Sequence, residues 1–476
     1  MKSIKTNLIM NILKLAMTVA FPLVTFPYAS RVLSPEGMGK VSFYQASISY
    51  FMLFAMLGIP TYGIKACAKY RSDRHELTKV VKEIFTINVI MTTVVYIVLL
   101  ICFFSIKRFQ QEPFLLLVCS FSIILNSCGI DWLFQAFEEY GYITARSFAF
   151  KLLGLVLLVL YVHDSNDYVM YAFITVISSY GSNVLNLFYA RHFLDDWKSI
   201  TSLDLGKHLK PILVLFSITA AASIYLNLDT VMLGIMKNDI EVGYYSTAIK
   251  IKTLTLNFVT ALGTVLLPRM AYYSNNGFEK EFIQVVNKAL DYVKVVSFPI
   301  VIFFILTARE CILVLAGEAY LPATLAMRFI MPTVILSGFS NLIGMQIFVS
   351  KDKEIYLMKA SFCGALSDLI LNIILIPSWG AAGAALATTI TEAVVLGIEV
   401  KYMMTIVDCK KININWMNVV IGCALGAIVV TEIKLIVYLP VFIKLTVLGI
   451  SFFGVYGIIL LVLKEKLVSE TLHSFL

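Results

Sequence analysis

The stretch GIDWLFQAFEEYGYITARSF, from Gly129 to Phe148, recurs in outline 214 residues later as IGMQIFVSKDKEIYLMKASF, from Ile343 to Phe362. Each copy connects two long apolar segments, so both occupy the same place in a repeated set of helices. The identical positions are Phe134/Phe348, Tyr142/Tyr356, Ser147/Ser361 and Phe148/Phe362, with Glu138 matched by Asp352. At a separation of 204 residues, Gly39 and Ser42 are matched by Gly243 and Ser246. The pattern predicts two tandem copies of one helical unit.

The composition places these copies in a membrane. Of 476 residues, 59% are hydrophobic and 14% are charged, and the mean hydropathy is +0.85. Soluble globular chains are about 45–50% apolar and about 25% charged. A chain so apolar is typical of a polytopic membrane protein.

About 20 apolar residues cross the hydrocarbon core of a bilayer, and we count about fourteen such segments. Spanning strands would need alternating polarity, so all are predicted to be helices. Twelve is the alternative number. The fold class is therefore all-α, with two six-helix lobes around a central cavity and a C-terminal helix pair. The predicted domains are 1–205, 206–412 and 413–476. The approximate segments are 8–32, 41–64, 82–105, 113–136, 143–162, 168–190, 211–235, 243–267, 290–308, 322–349, 358–377, 381–404, 416–438 and 441–463.

The basic residues predict the orientation. With the N-terminus inside, the inner segments hold 26 Lys and Arg and the outer ones hold 8. Lys and Arg collect in cytoplasmic loops, so both termini are expected in the cytoplasm. The first 30 residues also resemble a signal peptide, but their apolar run of about 25 residues is longer than such peptides carry, which favours a retained first helix.

Several classes of function find no support in the chain. The eight cysteines form no CxxC pair and no Cys/His cluster with metal spacing. No Walker loop, GxSxG or HExxH motif is present. The net charge of +8 is not gathered into basic runs interleaved with aromatic residues. We therefore expect no cofactor, no metal, no nucleic-acid partner and no enzymatic activity.

Charged residues within apolar segments are the candidate functional residues, because a charge at the centre of a membrane helix is unfavourable. Cations reaching a polar cavity would bind an anionic substrate; alternatively they extend to the membrane interface. Acids would bind a coupling proton or sodium ion; alternatively they are partners in buried ion pairs. The cationic candidates are Lys14, Arg31, Lys250, Lys252 and Arg328, and the ion-coupling candidates are Asp229, Asp368 and Glu392.

Four stretches resemble one family, the bacterial oligosaccharide-repeat-unit flippases of the polysaccharide transporter family. This family belongs to the multidrug/oligosaccharidyl-lipid/polysaccharide exporter superfamily. The stretches are DWLFQAFEEYGYITARS, SRVLSPEGMGKVSFYQASISYFMLFAMLGIPTYGIKACAKYR, LDTVMLGIMKNDIEVGYYSTAIKI and IPSWGAAGAALATTITEAV, within about residues 5–405.

The resemblance implies a transporter of O-antigen or capsule units in the bacterial plasma (inner) membrane. Its substrate would be an undecaprenyl-pyrophosphate-linked oligosaccharide, moved to the outer leaflet, with membrane lipid and a polysaccharide polymerase as further partners. The family's cavities are often cationic, which suits a pyrophosphate. An ion-coupled drug or cation exporter is the first alternative, and a membrane polysaccharide polymerase or ligase is the second.

Overall fold

A computed structural model of the protein describes residues 4–200, 202–261, 263–408, 411–412, 415–436, 438–465 and 467–469. Within residues 4–20, 199, 218–219, 221–226 and 263–265 it describes the backbone alone. The described residues form helices, turns and loops, with no strand among them. Contacts between Cα atoms divide the chain into two compact units, Met1–Gly243 and Tyr244–Leu476. The predicted lobes at 1–205 and 206–412 remain a prediction.

The first unit is built from eleven helices and the start of a twelfth, with single 3₁₀ turns between some of them. Helix α12 begins in this unit and continues into the second. The helices are α1 (Ile4–Met56), α2 (Ile59–Lys69), α3 (Arg74–Ser105), α4 (Lys107–Gln110), α5 (Pro113–Ser127), α6 (Asp131–Ala136), α7 (Tyr140–Tyr161), α8 (Tyr168–Tyr180), α9 (Val184–Tyr189), α10 (Gly206–Leu226), α11 (Leu228–Met236) and α12 (Asp239–Thr260).

The second unit contains the remaining helices and one π-helical segment, Leu342–Phe348. Its last two helices pack on each other and on α14, with the rings of Phe303 and Phe452 in contact at 5.6 Å between centres. The helices are α13 (Gly263–Asn275), α14 (Glu279–Leu306), α15 (Ala308–Leu315), α16 (Ala323–Ile330), α17 (Thr333–Asn341), α18 (Glu354–Ile406), α19 (Met417–Ile436) and α20 (Val441–Val462).

The described residues include nine helical segments long and apolar enough to cross a membrane. Two of them, Phe21–Lys69 and Glu354–Ile406, run for 49 and 53 residues. At 1.5 Å per residue, 53 residues extend for about 80 Å, more than twice the hydrocarbon thickness. Each of these two segments contains a break, at Ser34 (φ 64°) and at Gly380 (φ 53°), close to the predicted helix boundaries. The prediction of an all-α polytopic membrane protein is confirmed, whereas the number of fourteen crossings remains a prediction.

The repeated stretch forms the same turn in both units. After α6, Glu138 has a left-handed backbone (φ 59°), and the N–H of Glu139 donates to the carbonyl of Phe134 at 2.9 Å. In the second copy, Asp352 is left-handed (φ 54°), and the N–H of Lys353 donates to the carbonyl of Phe348 at 2.8 Å. A left-handed residue with this long backbone hydrogen bond is a Schellman-type helix ending.

The aromatic side chains around this turn also repeat. Tyr142 contacts Phe134 and stacks on Tyr189, with ring centres 3.9 Å apart. In the second copy, Tyr356 contacts Phe348 and stacks on Tyr402 at 4.3 Å. The matched aromatic residues therefore hold the same turn in both units. The partner ring comes from α9 in the first copy and, in the second, from the part of α18 that follows the break at Gly380.

Candidate functional site

The first unit contains a cavity of about 390 Å³ at a break in a membrane-crossing segment. Helix α1 ends at Met56 and α2 begins at Ile59, with Leu57 left-handed (φ 46°) between them. A Cβ atom on Gly58 would lie 2.8 Å from the backbone N of Phe216 and would clash with the neighbouring turn of α10, so the break needs glycine here. In membrane proteins, interrupted helices often form binding sites.

The cavity is lined by hydroxyl and amide groups together with apolar side chains. Amides and hydroxyls offer both donors and acceptors, which the hydroxyl groups of a sugar can match. The apolar and sulfur-containing side chains provide the rest of the wall, as in most ligand pockets. The polar lining residues are Ser49, Tyr50, Thr61, Asn126 and Asn227, and the others are Met52, Leu53, Met56, Leu57, Gly58 and Pro60.

The first copy of the repeated stretch carries a buried charge cluster. Arg146 is 6% exposed, and its guanidinium donates to Asp131 at 2.5 Å, to Asn183 at 2.8 Å and to Ser182 at 3.2 Å. Asn186 donates to the same oxygen of Asp131 at 2.7 Å. Since Asp131 is the first residue of α6 and Arg146 lies within α7, the cluster holds the two helices and the turn between them together.

A second polar network joins α3 to the start of α10. The carboxylate of Glu83 is fully buried, accepts from the backbone N–H of Asp204, and lies 2.8 Å from both Lys207 Nζ and His208 Nε2. The Nδ1 atom of His208 is 2.7 Å from the hydroxyl of Tyr62 in α2. Partial burial lowers the pKa of Lys207, but the hydrogen bond and charge of Glu83 outweigh burial and raise it. The network fastens the connection before α10 to α2 and α3.

At the side predicted to be extracellular, two glycines matched by the repeat pack closely. A Cβ on Gly39 would clash with the carbonyl of Asp239 and lie 2.9 Å from the backbone N of Gly243. A Cβ on Gly243 would clash in turn with Pro35. Arg108 pairs with Asp239 beside this contact. Burial raises the pKa of Asp239, and the guanidinium of Arg108 acts in the opposite direction.

The predicted cations lie on three helices. The side chain of Lys14, in α1, is outside the described residues. Arg31 is exposed and donates to the carbonyl of Pro27 at 3.2 Å. Lys250 is exposed and Lys252 half-buried on α12, and Arg328 is exposed at the end of α16. That these cations bind one anionic substrate remains a prediction.

The predicted ion-coupling residues are all buried. Asp229 lies in the first turn of α11 and is 4% exposed. Asp368 and Glu392 lie in α18, and Thr391 donates to Asp368 at 3.2 Å. This hydrogen bond places Asp368 next to Thr391, the residue that precedes Glu392. Their role in ion coupling remains a prediction.

Sequence reasoning missed several charged positions that the structure buries wholly or in part, among them Glu83, Asp239, Lys294 and Glu399. Glu83 and Lys294 lie near predicted segment ends, where charges are common, so nothing in the pattern distinguished them. Asp239 belongs to a short predicted loop. Glu399 is fully buried in α18, and it follows Glu392 by seven residues, which places both acids on the same face of the helix. That spacing was available in the sequence.

Comparison with known proteins gives matches over most of the chain. A family described as polysaccharide biosynthesis protein matches residues 4–274. A putative O-antigen transporter of Escherichia coli (strain K12) is 22% identical over 410 residues, which cover 85% of this chain and 98% of that protein. A probable low-salt glycan biosynthesis flippase of Haloferax volcanii is 24% identical over 194 residues, covering 40% of this chain and 41% of that protein.

Among solved structures, the chain is similar to the lipid II flippase MurJ in an inward closed conformation. The TM-score is 0.79 at 13% sequence identity, over 97% of this chain and 100% of that one. At this identity the similarity concerns the fold.

Proposed function

We propose that the chain, which belongs to the polysaccharide biosynthesis protein family, is a flippase for lipid-linked oligosaccharides. Its substrate in this proposal is an undecaprenyl-pyrophosphate-linked repeat unit, carried across the bacterial plasma membrane by alternating access, with both chain termini in the cytoplasm. A polysaccharide polymerase would use the product on the outer side.

The observation that carries the proposal is the cavity at the break between α1 and α2, whose wall includes hydroxyl and amide groups. A sugar crossing the hydrocarbon core loses its hydrogen bonds to water, which is strongly unfavourable. The hydroxyls and amides of the cavity, including Asn126 and Asn227, would replace those bonds. The named relatives are transporters and flippases, which supports transport rather than catalysis.

The cationic candidates suit the other end of this substrate. A pyrophosphate is recognised by Arg and Lys through charge-assisted hydrogen bonds. In the proposal, Lys14, Arg31, Lys250, Lys252 and Arg328 supply this charge. The lipid tail can remain in the bilayer throughout, because it is as apolar as the membrane interior.

The test combines a deletion strain with a cavity variant. Without the chain, surface polysaccharide should disappear and lipid-linked repeat units should accumulate on the cytoplasmic leaflet. The Asn126→Leu variant removes an amide from the cavity and should complement the deletion poorly, whereas Glu354→Gln, at an exposed position in the first turn of α18, should complement fully. Normal surface polysaccharide in a deletion strain that lacks any redundant flippase would refute the proposal.

The buried acids Asp229, Asp368 and Glu392 favour one alternative, an ion-coupled exporter of drugs or cations. Such an exporter would bind a small cation through these carboxylates. Ion-coupled efflux of small organic cations by the reconstituted chain, with no movement of lipid-linked sugars, would favour it. A defect in polysaccharide chain length without accumulated repeat units would instead favour a polymerase or ligase.

A further inference from the structure

Glu399 is a buried carboxylate that none of the interactions described above uses. It lies in the last part of α18 and has no exposed surface. Within the described part of the chain, neither of its carboxylate oxygens has a hydrogen-bond partner. The hydroxyl of Ser340 is close but is not placed to donate a hydrogen bond of good geometry. Buried charged groups are almost always paired, so this carboxylate needs an explanation.

The carboxylate lies against the π-helical segment Leu342–Phe348. At Gly344, in the middle of this segment, a Cβ atom would be 3.2 Å from Glu399 Oε1 and 2.7 Å from a methyl carbon of Leu357. Glycine therefore leaves the space that the carboxylate occupies. A π-helical segment inside an α-helical region is uncommon and frequently marks a functional position.

The repeat supplies an internal comparison for this site. Tyr189 and Tyr402 are equivalent, because each stacks on the matched tyrosine of its own unit. Three residues before them stand Asn186 and Glu399. In the first unit, Asn186 donates to Asp131, whose charge is neutralised by Arg146.

The second unit lacks both charged partners of that cluster. The residues that the repeat aligns with Asp131 and Arg146 are Met345 and Ala360. An acid at the position of Asn186 therefore has no cation at the equivalent place. The second unit thus places a carboxyl group where the first has an amide, and apolar residues where the first has an ion pair.

A bound metal ion does not fit this environment. Hard cations such as Ca²⁺ and Mg²⁺ take about six or more oxygen ligands. The neighbours described at Glu399 are Gly344 with the adjacent Leu357 and the hydroxyl of Ser340, and among the described residues no group of three or more acidic, histidine or cysteine side chains is arranged to hold a metal ion. A single proton, by contrast, removes the charge of one carboxylate without further ligands. We propose that Glu399 is a proton-binding site, neutral in the conformation described here.

The charged groups around the site agree with this assignment. Glu392, two turns earlier on the same face of α18, acts on Glu399 as a like charge. Two described cations lie near this end of the helix. Lys359 lies over the rings of Tyr356 and Tyr402, and the exposed Lys401 follows Glu399 by two residues, a spacing that places it on another side of the helix. Ser340 and the residues of the π-helical segment are uncharged. No described group therefore offers Glu399 a direct ion pair.

Release of the proton would act on the π-helical segment. The resulting charge cannot remain against Gly344 and Leu357 without water, so the segment must move away and admit solvent. This step rests on the proposed function: in a flippase, proton binding and release at Glu399 would couple the proton gradient to the conformational change.

The first experiment measures the proton directly. Infrared difference spectra of the purified full-length chain in liposomes, between mildly acidic and alkaline buffers, should show the carbonyl band of a neutral, buried carboxylic acid. Glu399→Gln, which keeps the side-chain shape, should remove that component, and the exposed control Glu354→Gln should keep it. An unchanged band in Glu399→Gln, or no such band in the native chain, would overturn the proposal.

The second experiment measures coupling. Flipping of a fluorescent undecaprenyl-pyrophosphate-linked sugar in proteoliposomes should increase several-fold with a proton gradient in the native chain and in Glu354→Gln. In Glu399→Gln the stimulation should be lost. A gradient response that survives in Glu399→Gln would overturn the coupling. If the native chain flips no lipid-linked sugar, the proposed function is refuted. If the infrared band is nevertheless lost in Glu399→Gln, the proton-binding site is still supported.

Discussion

The charge cluster in the first copy of the repeated stretch predicts a strong energetic coupling between Asp131 and Arg146. Arg146 makes three side-chain hydrogen bonds, to Asp131, Asn183 and Ser182. Arg146→Met keeps a long unbranched side chain but removes all three bonds. Asp131→Asn keeps the shape of the partner but removes its charge.

The magnitude follows from burial. Removing one partner of a buried ion pair costs about 3–5 kcal/mol. The lower limit applies to Arg146→Met, about 3 kcal/mol, because the Asp131 side chain keeps 29% exposure and still accepts from Asn186. Asp131→Asn weakens a hydrogen bond to a charged group and should cost about 2 kcal/mol, since Asn183 and Ser182 remain with the cation. The double variant has no unpaired charge and should lose about 3 kcal/mol, which gives a coupling of about 2 kcal/mol.

The measurement is a double-mutant cycle on the purified protein in detergent micelles. Tryptophan fluorescence, to which the adjacent Trp132 contributes, follows unfolding in denaturant. The control cycle uses Arg74 and Asp195, which are 3.1 Å apart but 54% and 40% exposed. An exposed pair of this kind should show a coupling below about 1 kcal/mol. If the buried pair couples no more strongly than the exposed one, the cluster does not stabilise the turn as argued.

Three further predictions concern other parts of the chain. Two backbone N–H groups donate to the carboxylate of Asp167 and lower its pKa, so its stabilisation is present at neutral pH and is lost as the pH falls below about 4. The hydrogen-exchange protection factors at the start of α8 should therefore fall with acid in the native chain but not in Asp167→Asn. Lys294→Met removes the ammonium that lies 3.0 Å from Glu465 and leaves that carboxylate as a buried charge without its ion pair, which should lower the free energy of unfolding by about 3–5 kcal/mol. Proteolysis between α18 and α19 should increase, and an unchanged rate would refute this role of Lys294. Gly39→Ala adds a methyl group to the close contact of the two glycines and should destabilise it by about 1–3 kcal/mol. A cysteine placed at buried Val242 should then react with a thiol reagent several-fold faster than in the native background, and an unchanged rate would contradict the close contact.

Much of the fold was predictable because its causes are local. Apolar length predicts membrane helices, and the repeated aromatic residues predicted that the two turns would correspond. The structure adds that both turns end in a left-handed acidic residue, Glu138 or Asp352, with the same long hydrogen bond. The family resemblance carried by the first of these stretches is also confirmed.

The candidate site was less accessible to sequence reasoning because it depends on contacts between distant residues. Charge in an apolar segment identified Asp368 and Glu392, which are buried as such residues should be. The sequence analysis did not identify the cavity at the break near Leu57, because its lining comes from α1, α2, α5 and Asn227, which are far apart in the chain, and its polar members are common residue types. Glu83 escaped for a similar reason, since its partner His208 lies 125 residues away.

The two copies of the repeat share a scaffold and differ in charge, and this difference has a physical consequence. Where Arg146 neutralises Asp131, the turn is held in one arrangement by a buried ion pair, and separating the charges is costly. Where the aligned residues are Ala360 and Met345, the acid Glu399 can lose or gain its charge by exchanging a proton. In the second unit a proton that can leave takes the place of the fixed arginine. Glu399 therefore has two charge states on the same backbone, and a proton gradient can shift the balance between them.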